Sequence, residues 1–175
     1  AVAGGTQNGI SLSEGTLLVG PKKINGNLSL SNIAELTVSG TLWVTGNVSL
    51  QNSSKIQLSS SYGSGSGMII VDGTVSTQNT ASFSGSGATG SYMMMLTTST
   101  SSLAMEIKNS AGTVILVAPY GTITFSNTAG AKEAIAKNIH MENSATLTYE
   151  SGLANVNFTS GPSGGWNIES WEEVR

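Results

Sequence analysis

The chain has no cysteine, one aspartate, one arginine and one histidine. Without cysteine, disulfide staples and thiolate metal sites are excluded. Charged residues make up only 10% of the 175 positions, against roughly 25% in ordinary globular proteins. Seven basic residues and a formal net charge of −3 leave no basic footprint for nucleic acid or for an anionic membrane. No apolar run approaches the roughly 20 residues of a membrane helix, so no direct membrane contact by this segment is expected. No signal peptide is visible. The start Ala1-Val-Ala-Gly-Gly5 reads as a processed or excised domain, with any anchor or export signal upstream of Ala1.

What remains is Ser, Thr, Asn and 22 Gly around an apolar share of 38%. Apolar residues recur with period two in many places, which is a strand signal and argues against disorder. The length fits one domain. The stretch Gly46-Asn-Val48-Ser-Leu50-Gln-Asn52-Ser-Ser-Lys-Ile56-Gln-Leu58 repeats the grammar of Gly26-Asn-Leu28-Ser-Leu30-Ser-Asn32-Ile-Ala-Glu-Leu36-Thr-Val38 twenty residues earlier. Each copy is an alternating run, a corner residue, a short gap and a second alternating run.

Seven copies follow from this grammar, with corners at Glu14, Asn32, Asn52, Asn79, Asn109, Asn127 and Asn143, separated by 18, 20, 27, 30, 18 and 16 residues. The second runs are expected at Leu18, Leu36, Ile56, Phe83, Val114 (slipped by one), Ala131 and Leu147. A lone five-residue strand cannot bury its apolar side, but stacked copies bury one another's. The expectation is therefore an all-β, right-handed parallel β-helix, or β-solenoid, of about seven rungs. Third runs that close each turn are sought at Leu42 to Val44, Met68 to Val71, Tyr92 to Leu96 and Val117 to Pro119. Residues 1–158 form the solenoid on this reading. Residues 159–175 form a capping tail of the same domain, with Trp166 and Trp171 over the last rung and three glutamates that discourage edge pairing.

The six corner asparagines have a structural reading. Leaving one sheet for the next needs a tight bend, often with φ > 0, which Asn tolerates better than most residues, and stacked amides can hydrogen-bond along the rod. Trp43, between inward Leu42 and Val44, is expected to point outward, against a neighbouring segment or a partner. The long copies carry insertions at 59–67, 85–91 and 97–102, rich in Gly, Ser and Thr. Loops are where such a scaffold carries recognition, so Tyr62, Ser64, Ser66, Thr89, Thr98 and Thr100 are candidate binding residues. Flexible spacers without a partner are the alternative.

No catalytic, cofactor-binding or metal-ligating residues are expected. Solenoid polysaccharide enzymes need clustered carboxylates near a base, whereas Asp72 stands alone and the glutamates are scattered. His140 alternates between Ile139 and Met141 and is expected to face solvent, without metal or triad partners. The sequons at Asn27, Asn47, Asn52 and Asn157 are explained by the abundance of Asn, Ser and Thr.

Several segments carry a family resemblance: Gly40-Thr-Leu-Trp-Val-Thr-Gly-Asn47, Ser61-Tyr-Gly-Ser64, Val114-Ile-Leu-Val-Ala-Pro-Tyr-Gly-Thr122, Tyr149-Glu-Ser-Gly-Leu-Ala-Asn155 and the Gly165-Trp-Asn-Ile168 ending. They are similar to the C-terminal domain of pilin-like, PilX-type proteins of candidate phyla radiation bacteria. The resemblance implies a domain exported behind an N-terminal pilin-type helix and displayed on a type IV pilus or the cell surface. The expected function is a non-catalytic extracellular structural or adhesive module. Its partners would be pilus subunits, other surface proteins or glycans. A polymer-forming scaffold similar to bactofilins, and a polysaccharide-binding or ice-binding solenoid, are the alternatives.

Overall fold

Alternating side chains with β-branched and glycine residues between them commit this chain to strands, and every strand pairing in the computed structural model is parallel. The structure describes residues 4–109 and 112–147. Among them there is no α-helix, only strands and a 3-10 turn at Ser60–Tyr62. The strands fall into a ten-stranded, a four-stranded and a two-stranded sheet.

Three ladders of in-register residues organise the pairing. In the first, Ile10 aligns successively with Leu28, Val48, Val75, Met105, Ile123 and Ile139. Two positions on, Leu12, Leu30, Leu50, Thr77, Ile107, Phe125 and Met141 do the same. In the second, Leu17, Leu36, Ile56 and Phe83 align, as do Val19, Val38 and Leu58. In the third, Leu42, Ile69, Met95, Leu116 and Ala134 align, beside Ile24, Val44, Val71 and Thr97. The first and third ladders belong to one sheet because Lys22–Leu30, Val114–Ser126 and Glu133–Met141 are long enough to run through both.

The inward residues form one apolar cluster from Ile10 to Ala131, most of it fully buried. Polar residues enter it only with partners. The hydroxyl of buried Thr77 accepts from Lys108 N–H at 3.1 Å, and that of buried Ser54 donates to the Leu30 carbonyl at 3.3 Å. Among the described residues no buried side-chain polar atom is unsatisfied, as the cost of orphaning such groups requires.

Two sequence expectations are corrected. The first corner is one residue shorter than the others, turning at Gly15 (φ 79°). Leu17 therefore aligns with Leu36, and Leu18 points out, 64% exposed. In the copy after Asn109, Val114 is not the second run. It pairs with Met93 in the third ladder, and the second run shrinks to a single bridge between Phe83 and Gly112. The tail at 159–175, with Trp166 and Trp171, lies outside the described residues.

Candidate functional site

The corners decide which polar groups remain available. Asn32, Asn52, Asn79, Asn109, Asn127 and Asn143 all have φ between 51° and 64°, and among the described residues no other non-glycine residue has positive φ. Around five of them a four-residue turn closes, as when Ala34 N–H bonds the Ser31 carbonyl at 3.1 Å and Ala81 N–H that of Gln78 at 3.3 Å. The residue two places after the asparagine is small: Ala34, Ser54, Ala81, Ala129 and Ala145. The first four of these are buried. Asn52 donates to Asn32, Asn79 to Asn52, and Asn143 to Asn127, at 2.8 to 3.2 Å. These amides are occupied by one another.

A second polar row, which the sequence reading overlooked, runs along the bend between the third and first ladders. Asn27 Oδ1 accepts from Asn47 N–H, and Asn47 Oδ1 from Thr74 N–H, both at 2.9 Å. A Cβ on Gly46 would lie 2.2 Å from Asn27 Oδ1, and one on Gly73 would lie 2.2 Å from Asn47 Oδ1. The signal for this row was the recurring Gly-Asn pair at 26–27 and 46–47. Three of the sequon asparagines, Asn27, Asn47 and Asn52, therefore serve the backbone or one another.

The insertions at 59–67 and 85–91 lie together. Ser59 caps the short turn at Ser60–Tyr62. Ser86 donates to the Gly63 carbonyl. Ser91 donates to the Gly65 carbonyl at 2.7 Å, and Ser66 accepts from Tyr92 N–H at 3.0 Å. Ser66 is fully buried, and Tyr62 packs against the core. Ser64 and Thr89 are exposed. The insertion at 97–102 sits at a different corner, held by Thr97 Oγ1 on the Gly73 carbonyl at 2.5 Å and by Thr122 N–H on the Ser101 carbonyl at 3.1 Å. Its Thr98 and Thr100 are exposed. The six candidate residues thus divide between two edges, with four of them on the surface.

The ionisable groups are mostly engaged in pairs. Glu35 meets Lys55 at 3.2 Å and accepts from Gln57; Glu106 meets Lys108 at 3.0 Å. Asp72 accepts from Trp43 Nε1 at 2.9 Å, and Lys23 Nζ lies 4.0 Å from the Trp43 ring centroid. His140 faces solvent, 3.8 Å from Glu142. On the outer side of the first ladder, Ser11, Ser29, Ser49, Ser76, Glu106, Thr124 and His140 form one aligned polar row. Among the described residues no group of three or more His, Cys, Asp or Glu is placed to hold a metal, and no helix is long and apolar enough to cross a membrane.

Comparison of the chain with family models, curated proteins and solved structures finds no match.

Proposed function

We propose that this chain is a right-handed parallel β-solenoid acting as a non-catalytic structural and adhesive module on the outside of the cell. Seven successive copies in parallel register support the solenoid. At the roughly 4.8 Å spacing of paired strands they give a rod about 30 Å long. Adhesion is carried by one observation: two Gly/Ser insertions from successive turns are tied together by Ser86 on Gly63 and Ser91 on Gly65, leaving Ser64 and Thr89 exposed. Loops ordered in this way bind with less entropy to lose. Display on a type IV pilus or cell surface rests on the resemblance of the Ala-Pro-Tyr-Gly and Glu-Ser-Gly-Leu-Ala segments to PilX-type domains.

The test is a glycan array together with a cell-binding assay, run on the chain and on a variant with 86–90 shortened to a tight turn. Binding that is lost in the folded variant supports the reading. Binding that survives removes these loops from it, and no binding to any surface removes adhesion.

A bactofilin-like polymer is the second reading. Its specific support is the last described turn, where Ile139 and Met141 stand in core-facing columns yet are 42% and 43% exposed. Filaments of purified protein in electron microscopy would favour it over the adhesive monomer.

A further inference from the structure

The outward side of the third ladder differs from the other two. Trp43, Ile70, Leu96, Val117 and Ile135 align in register across successive turns, with Lys23 below them. Met68, Met94 and Ile115 form a second parallel row beside them, covered at Ile115, which is only 3% exposed. Their chain neighbours Leu42, Val44, Ile69, Val71 and Met95 are fully buried, so the period of two leaves these apolar side chains no inward alternative. Ile135 is 50% exposed and the rest of the row is partly covered. The first ladder carries Ser, Thr, Glu and His at the same positions, and the second carries the Glu35–Lys55 pair. A continuous apolar row on one of three otherwise polar faces marks an interaction surface.

We propose that this face is a homodimer interface, with a second copy packed face to face and antiparallel about a two-fold axis along the strands. This proposal stands on the face itself and is independent of the adhesive reading. Side-chain rows on such a stack recur every 4.8 Å or so, and another copy supplies the same spacing, whereas helix turns of about 5.4 Å drift out of step. Reversal of one copy also matches the residues. Trp43 meets Val117 of the partner subunit, Ile70 meets the partner's Leu96, and Met68 meets the partner's Met94. Bulk then opposes smaller side chains, and apolar opposes apolar.

Charge is complementary in the same arrangement. Lys23 follows Trp43 towards one extremity, with Thr6 beyond it, and Glu133, in register with Ile115, lies beside the row at the other. Antiparallel packing brings the two within reach at both ends of the interface, whereas parallel packing would set Lys23 against its own copy. Five to six rows about 4.8 Å apart and three residues of about 3.4 Å wide make a patch of roughly 300 Å² per subunit, or roughly 600 Å² in total, below the standard size of specific interfaces. A weak, concentration-dependent dimer follows.

The experiment is sedimentation velocity on the chain from about 5 to about 500 μM, the range in which a micromolar equilibrium is read. A monomer–dimer equilibrium is expected. Leu96→Lys, at an outward position, should weaken it by tenfold or more, roughly the effect of an unpaired charge in an interface, with an unchanged circular dichroism spectrum. Lys23→Glu should also weaken it, and Lys23→Glu with Glu133→Lys should restore it. Monomer throughout the range, species larger than dimer, or a dimer indifferent to a folded Leu96→Lys variant would overturn the proposal. Should Leu96→Lys fail to fold, the charge reversal decides: no rescue overturns the antiparallel interface.

Discussion

Asn52 donates from Nδ2 to Oδ1 of Asn32 at 2.9 Å and accepts at its own Oδ1 from Asn79 at 2.8 Å. One side chain therefore links three successive copies of the repeat while its backbone holds φ at 60°. Turn geometry and the bond between turns are joined in one residue, which separates two substitutions.

Asn52→Ala loses both amide bonds and places a Cβ residue without compensation in the left-handed region. The expected loss is about 2 kcal/mol in urea unfolding, from about 1 kcal/mol of backbone strain and a fraction of that for each exposed hydrogen bond. Asn52→Gly keeps the conformation and should cost about half as much. Equal losses in the two variants would show that the backbone conformation contributes nothing.

Gly46→Ala drives a methyl group to 2.2 Å from Asn27 Oδ1 and 2.8 Å from the Gly26 carbonyl oxygen. Backbone must shift, and a loss above about 2 kcal/mol is expected, as for other overpacked sites. Gly20→Ala is the control, since its Cβ would meet only Ser39 Oγ at 3.6 Å. That variant should lie within about 0.5 kcal/mol of the parent. Thermal melts of the pair decide the matter.

Phe125 and Met141 occupy the same inward column on adjacent paired strands. Phe125 is fully buried and Met141 is 43% exposed. Phe125→Ala should therefore cost about 3–5 kcal/mol through the cavity it leaves, and Met141→Ala about 1 kcal/mol. Denaturant midpoints at constant m-value measure both.

Lys55 and Glu35 stand 3.2 Å apart on the outside of the second ladder, with roughly a third of each side chain exposed. Water and salt screen such a pair, so Lys55→Met should change stability by less than about 1 kcal/mol. The difference should vanish in about 1 M sodium chloride, where the screening length falls to about 3 Å.

Much of this architecture was open to reading from the chain alone, for a physical reason. The period of two and the asparagine four residues before the next apolar run are local, so Val48, Leu50, Ile56 and Leu58 could be assigned inward without coordinates. The same locality explains the misplacements. The repeat by itself points Leu18 inward, because a first corner of the usual length would put it there, and the turn at Gly15 removes one residue. The spacing likewise points Val114 to the second ladder, because nothing local distinguishes two apolar runs that lie in different sheets. Among the loop candidates, Ser66 carries no mark in the sequence that separates it from Ser64, yet one is buried under Tyr92 N–H and the other is exposed.

Local pattern, then, settles which residues alternate, where the chain turns with positive φ, and which chemistries are missing, because each of these depends on near neighbours or on composition. Stacking decided the rest. Only register across paired strands lines up Trp43, Ile70, Leu96, Val117 and Ile135 as one apolar face, since they are separated by 18 to 27 residues in the chain and by one strand spacing in space. Only register shows that Asn27 and Asn47 are spent on backbone N–H groups, and that the loops at 59–67 and 85–91 form one edge while 97–102 belongs to another. A strand's partner is a non-local fact, and every surface of this protein is assembled from partners.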